Sequence, residues 1–288
     1  MTTYLVTGAS GQLGHLAVEA LLKRVPAANV AVLVRSAEKA APLKALGVDI
    51  RIGDYDKPET LEAAFKGIDR LLLISSSEVG KREVQHGNAI AAAKRAGVGF
   101  IAYTSLLHAH SGKLRILSGE HIATEKALAA SGIPHALLRN GWYTENLVQA
   151  LPGAIERGVY ASAAGDAPFS TASRADYAEA AAVVLSAETV EPGRVYELAG
   201  DQAFTLTEFV AEAARQAGKP IAYHSLPEAD YRAALVGAGL PAPVADMLAD
   251  SDTGAAKGGL FDDSHTLSKL IGRPTTPFAE TIATALKA

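Results

Sequence analysis

The chain has 288 residues, 49% of them apolar and 20% charged, and 27 basic against 31 acidic side chains leave a formal charge of -4. That balance supports a full core, argues against disorder, and offers no general electrostatic attraction to nucleic acid or an anionic membrane. Cysteine is absent, which excludes disulfides, thiolate nucleophiles, cysteine-ligated zinc and iron–sulfur clusters. The first residues reach Gly8 too soon for a secretory leader, and no run approaches the roughly 18 apolar residues that span a bilayer. A soluble cytoplasmic protein is the expectation.

Short apolar runs at Tyr4–Thr7, Val30–Val34, Asp49–Ile52, Leu71–Ser75, Phe100–Thr104 and Ala136–Arg139 read as strands buried on both faces. Helix signals lie between them. Ser36 is placed to cap a helix that stops at Gly47, and Asp56 with Pro58 to open one that stops at Gly67. Further helices are expected over Arg82–Ala96, ending at Gly97, and Gly119–Ala130, ending before Ser131-Gly132-Ile133-Pro134. Strict alternation implies right-handed crossovers and an α/β fold, a doubly wound parallel sheet with helices on both faces. After Gly141 the rhythm changes: Gly153, Gly158, Gly165 and Pro168 predict loops, followed by a helix at about Arg174–Ser186 and a strand at Arg194–Leu198. From Thr205 onward the pattern is mainly helical. The predicted organisation is a sheet domain over residues 1–150, to which about 171–200 return, and a smaller cap carrying substrate in the rest of 151–288.

Gly8-Ala9-Ser10-Gly11-Gln12-Leu13-Gly14 follows the first strand and opens a helix whose apolar positions are Leu13, Leu16, Ala17, Ala20 and Leu21. In that context the glycines permit a tight turn and close approach to a pyrophosphate, and the helix start offers N–H groups and a positive dipole end. The second strand ends at Arg35, where an acid would accept from ribose hydroxyls. A guanidinium instead suits a 2′-phosphate, so NADP(H) is the expected coenzyme, with Lys39 one helical turn on as a second cation. Asp54 is positioned either for the adenine amino group or for a turn, and Ser75, Ser76 and Ser77 either for ribose and phosphates or for a turn.

Thr7-Gly8-x-x-Gly11-x-x-Gly14, Gly53-Asp54-Tyr55, Leu71–Ser77, Phe100–Ser105, Leu137–Tyr143, Asp246–Asp252 and Lys257–Asp263 together resemble the NmrA-like, atypical short-chain dehydrogenase family, and within it the bacterial quinone-reducing branch. The resemblance covers essentially the whole chain. It implies a Rossmann domain, NADPH as hydride donor and a small-molecule quinone as partner. The same family includes reductases of triphenylmethane dyes and non-catalytic regulators that sense NADP(H), which are the alternative readings. The Tyr-x-x-x-Lys pair of most short-chain dehydrogenases is missing: Leu117 stands at the tyrosine place and His121 at the lysine place, while Tyr103 is followed four residues later by Leu107. A quinone tolerates that loss, because its reduced anion is phenol-like and far less basic than an alkoxide.

Asn140 and Tyr143 are the residues expected to position substrate or nicotinamide, with Gly141 and Trp142 beside them and no general acid assigned. Arg174 is expected near the coenzyme, and Thr104 and Ser105 within reach of substrate. His108, His110 and His121 present no complete ligand set, so no metal is expected. Lys257–Asp263 is read either as a mobile lid over the quinone or as an ordinary loop entering the last helices. Nothing in the composition opposes assembly into a homo-oligomer.

Overall fold

The computed structural model describes residues 1–287. Its strands are β1 (Tyr4–Val6), β2 (Val30–Val34), β3 (Asp49–Ile52), β4 (Arg70–Leu73), β5 (Phe100–Leu106), β6 (His135–Asn140), β7 (Val159–Ser162), β8 (Val195–Leu198) and β9 (Ala222–Ser225). Seven of them form one sheet in the order β3-β2-β1-β4-β5-β6-β8. The pairings among β1 to β5 are parallel, with Val6 opposite Val32 on one side and Leu72 on the other. The carboxyl ends of these strands therefore share one edge. Strand order reverses at β1, which β2 and β4 flank, and such a reversal splays the connections after β1 and β4 and opens a crevice there. The expected doubly wound α/β fold is what the chain adopts.

The helices of the first half are α1 (Gln12–Leu22), α2 (Ala41–Lys44), α3 (Pro58–Phe65), α4 (Arg82–Ala96) and α5 (Arg115–Ser131). Those that follow are α6 (Thr144–Val148), α7 (Leu151–Arg157), α8 (Arg174–Ser186), α9 (Leu206–Ala217), α10 (Glu228–Gly237), α11 (Ala242–Ala256), α12 (Thr266–Ile271) and α13 (Phe278–Ala285). Two compact units result. Residues 1–105, 120–139 and 174–196 form the first, whose core includes Leu5, Phe65, Leu71, Leu73, Ile101 and Tyr103. Residues 106–119, 140–173 and 197–288 form the second. Its core holds an aromatic cluster in which the rings of Phe204 and Phe278 are 4.2 Å apart, with Phe169 and Phe209 stacked on Phe204.

Five sequence expectations are corrected. Asp49–Ile52 is a strand, but not one buried on both faces: it is the sheet edge, and Ile52 is 48% exposed. Ser36 caps no helix, because Pro42 would drive its ring into the carbonyl four residues back; the segment breaks into a 3-10 turn at Glu38–Ala40 and the short α2. Gly153 does not lie in a loop but sits inside α7, where a Cβ would lie 2.8 Å from the Arg157 guanidinium; the helix stops at Gly158, at φ +72°. β7 and β9 form a parallel two-stranded sheet where loops and helices were expected. α5 also begins earlier than expected, at Arg115, since the Asp250 carboxylate accepts from the Ile116 N–H and supplies a cap from distant sequence.

Candidate functional site

Thr7 fixes the crevice beside β1. Its hydroxyl donates to the Leu72 carbonyl at 3.1 Å and accepts from the Ile74 N–H at 2.9 Å, so the ends of β1 and β4 are tied together. The chain then turns at Gly8, at φ +59°, and closes on itself through Gly11 N–H donating to the Gly8 carbonyl at 2.9 Å. Gly14 packs against that turn so closely that a Cβ there would lie 2.2 Å from the Gly8 oxygen. Glycine is obligatory at this contact. Ala9 and Leu13 are buried, whereas Ser10, Gly11 and Gln12 face solvent, and no side chain caps α1. The first N–H groups of α1 thus point outward at the positive end of its dipole.

Arg35, Asp54 and Ser75–Ser77 lie after β2, β3 and β4, at the same sheet edge as this turn. Arg35 is exposed, and its Nη1 donates to Glu78 Oε1 at 3.2 Å. Lys81 donates to the other oxygen of Glu78 at 2.9 Å; this ammonium, then Arg35, hold the Glu78 carboxyl below the usual range. Asp54 spends Oδ1 on the Asp56 N–H at 3.1 Å, an Asx turn that realises the bland alternative for at least half of its carboxylate.

Behind the serines lies a buried polar network. The Ser75 N–H donates to Thr104 Oγ1 and the Ser76 N–H to His86 Nε2, each at 2.9 Å, so neither amide faces outward. Since His86 Nε2 accepts, the ring proton sits on Nδ1 and is donated to Thr124 Oγ1 at 2.9 Å, which donates in turn to the Glu120 carbonyl. Burial first, and then the nearby Arg82 charge, push the His86 imidazole down to about 3. His121 is pushed to about 3 by the same causes, and its Nδ1 lies 2.8 Å from the Tyr103 hydroxyl. Tyr103 is fully buried and burial raises its phenol further, so it is no proton shuttle. Ser105 donates to Glu125 at 2.6 Å, and Glu125 also receives Arg139, which makes Ser105 part of a structural ion-pair cluster rather than a substrate contact.

Sequence reasoning passed over His86 and Glu78. For His86 a signal was present, since Arg82, Gln85, His86, Ala89 and Ala93 are buried positions on one face of α4 and polar residues at that spacing announce a buried network; Glu78 lies before the helix and carries no such mark.

In the second unit, the segment after β6 is anchored by the Gly141 N–H donating to the Leu198 carbonyl at 2.8 Å and by Leu107 N–H donating to the Asn140 carbonyl at 2.9 Å. Asn140 is 4% exposed, and its Oδ1 is a buried acceptor with no hydrogen-bond partner. Trp142 and Tyr143 are half-buried, and Tyr143 pairs in a parallel bridge with Ala172 at the start of α6. Arg174 opens α8, in the first unit.

Of the lid and the ordinary loop expected at Lys257–Asp263, the contacts favour the loop, because the segment is pinned. Leu260 is 1% exposed and its carbonyl accepts from the Ser170 N–H, while Asp262 N–H donates to Ser170 Oγ. Gly254 and Gly259 admit Lys113 and Leu114 so closely that a Cβ at either would approach within 2.7 Å. His108 Nε2 lies 3.2 Å from Asp262, and no group of His, Cys, Asp and Glu among the described residues is arranged to hold a metal ion. No helix among them is long and apolar enough to cross a membrane.

A sequence profile of the NmrA-like family matches residues 2–277. The chain belongs to the NmrA-like family. It is 57% identical over 278 residues to quinone oxidoreductase 2 of Escherichia coli K12, covering 96% of each chain. The crystal structure of an NADPH-dependent quinone oxidoreductase from Escherichia coli, complexed with NADPH, superposes with a TM-score of 0.95 at 56% identity, covering 99% of this chain and 100% of that one. The Citrobacter sp. triphenylmethane reductase complexed with NADP(H) gives 0.92 at 37% identity, covering 98% and 100%.

Proposed function

We propose that the protein is an NADPH-dependent quinone oxidoreductase that delivers hydride to a small quinone without a flavin. The observation that carries this reading is the 57% identity to quinone oxidoreductase 2 along 96% of both chains. The residues present fit the coenzyme: the turn packed by Gly8 and Gly14 leaves Ser10, Gly11 and Gln12 facing solvent at the uncapped start of α1, and the buried Asn140 Oδ1 is an acceptor in want of a donor. Residues 151–288, apart from the return at about 171–200, carry the substrate in this reading.

Bound NADPH supplies the hydride. Gly8, Ala9, Ser10 and Gly11 form the turn that lets a pyrophosphate come close, and the outward N–H groups of Gln12 and Leu13 receive its charge. Arg35 pairs with the 2′-phosphate and Asp54 stands at the adenine. Of the serines, Ser75, Ser76 and Ser77 offer their hydroxyls to ribose and phosphate, since two of their amides are engaged inward. Asn140 positions the nicotinamide through Oδ1, which suits the N–H2 of a carboxamide; Gly141, Trp142 and Tyr143 shape the adjoining surface, and Arg174 contributes a cation. The proton needed to complete a hydroquinone comes from solvent, because a phenol-like anion with a pKa of about 10 requires no enzyme acid. A cysteine-free chain suits the reducing cytoplasm, the compartment we assign.

Anaerobic mixing of flavin-free protein with NADPH and a panel of benzoquinones tests this: loss of nicotinamide absorbance should accelerate with protein concentration. No acceleration with any quinone rejects the reading. The 37% identical triphenylmethane reductase motivates a second acceptor, a triphenylmethane dye, and the ratio of kcat/KM for the two acceptors decides between them.

A further inference from the structure

Glu78 lies outside every coenzyme-binding motif, yet its carboxylate sits where Arg35 is expected to meet the coenzyme. One oxygen takes Arg35 Nη1 at 3.2 Å and the other Lys81 Nζ at 2.9 Å. Its place is built. The Glu78 N–H donates to Ser76 Oγ at 3.2 Å, the Ser76 N–H is held by His86 at 2.9 Å, and Arg82 Nε donates to the Ser76 carbonyl at 2.6 Å. Two residues beyond Glu78, the Gly80 N–H is held by Glu120 Oε1 at 2.7 Å. His86 is fully buried and Arg82 is 9% exposed, so this turn is braced from the interior and presents its acid toward β2.

Two cations flanking one carboxylate is also the arrangement a phosphate dianion would take. We infer that Glu78 is a coenzyme-specificity residue: an internal anion that occupies Arg35 and Lys81, lowers affinity for the 2′-phosphate and so moderates the preference for NADPH over NADH. The inference rests on the proposed coenzyme reading of Arg35. A 2′-phosphate must displace or approach the carboxylate, whereas a 2′-hydroxyl meets no such repulsion and can donate to it. Exposed ion pairs of this type change equilibria by about two- to fivefold.

The test is calorimetric titration of intact protein with 2′,5′-ADP and with 5′-ADP, which carry and lack the phosphate and need no turnover. Glu78→Gln should tighten 2′,5′-ADP by about two- to fivefold, leave 5′-ADP unchanged or weaker, and lose this gain as salt is raised. Arg35→Gln separates the two readings. If Arg35→Gln weakens 2′,5′-ADP selectively while Glu78→Gln leaves the ratio of the two affinities at its wild-type value, the role of Glu78 is refuted and that of Arg35 stands. If the wild-type protein binds both nucleotides equally and Arg35→Gln changes neither, both readings fall. An equal change for both nucleotides in Glu78→Gln, the signature of a merely structural role for the turn, also overturns the inference. Glu78→Asp should restore the wild-type ratio only in part, because the shorter acid reaches one cation less well.

Discussion

Replacing Gly14 by alanine separates the glycine that builds the coenzyme turn from the one that faces the coenzyme. A Cβ at Gly14 would meet the Gly8 oxygen at 2.2 Å, the Gly8 carbon at 2.7 Å and the Ala9 Cα at 2.8 Å, all backbone atoms that no rotamer change can move. Ordinary contact needs about 3.4 Å or more, so α1 and the turn must part by about 1 Å, an overpacking that costs about 2–3 kcal/mol. In a chain of 288 residues that is a fall in Tm of about 3–5 °C. Gly11 is the control. Its φ of -83° suits any residue, and its Cβ would meet only the Gly8 oxygen, at 3.2 Å, so Gly11→Ala should cost less than about 0.5 kcal/mol. Gly11 is nevertheless exposed at the start of α1, where a methyl would hold a pyrophosphate off the N–H groups, and NADPH should bind about tenfold more weakly. Thermal unfolding by circular dichroism and fluorescence titration with NADPH read the two effects apart. A Gly14→Ala protein that melts with the wild type would refute the close-contact argument, and a Gly11→Ala protein that binds NADPH normally would refute the seat assigned to the pyrophosphate.

Further expectations rest on single contacts. Arg35→Gln should lower kcat/KM for NADPH by about 10- to 100-fold while leaving NADH within about threefold, since only the phosphate forms a charge-assisted pair; equal losses would show that Arg35 does not read it. Tyr103→Phe should cost about 1–2 kcal/mol through the lost bond to His121, yet leave quinone reduction per folded molecule unchanged, because this phenol is buried; a large fall in kcat would make it a catalytic group. His86 and His121 are held neutral to about pH 3, whereas the unfolded chain protonates them near 6.5. Their contribution is therefore intact above pH 6.5 and is lost as pH falls toward 3, at up to about 1.4 kcal/mol per pH unit for each. Urea unfolding at pH 7 and pH 5 should show about 4 kcal/mol lost from the pair, and His121→Gln should remove about half; an unchanged slope in that variant would show that the ring is already charged. Asp250→Ala should cost about 1–2 kcal/mol by uncapping α5, read as a lower urea midpoint.

What the sequence disclosed and what it concealed divide by the range of the interaction responsible. The glycine turn was legible because its constraint is local: a strand, a left-handed residue and a helix start within a dozen positions. α4 and α8 were legible to the residue because Gly97 and Ser173-Arg174 punctuate an uninterrupted helical run. β3 reads as an interior strand although Asp49-Ile50-Arg51-Ile52 alternates polar and apolar, because how many neighbours a strand has is set by the strand order, which makes Ile52 an edge residue. β7 and β9 were missed for the same reason: each is four residues long, and they find one another across some sixty positions of chain.

The candidate site shows the same division within a few ångströms. Arg35 could be singled out from its place at the end of β2, but its present partner could not, because Glu78 reaches it only after β4 is set beside β1 and the turn at Ser76 is braced by α4. The bracing uses a buried histidine as an acceptor, and that assignment needs the position of the Ser76 amide, not the spacing of histidines in the chain. A site of this kind is read in two steps. Local motifs say which groups are proposed to meet the coenzyme, and the interior network behind them says which of those groups is already engaged, and therefore what the coenzyme would have to displace.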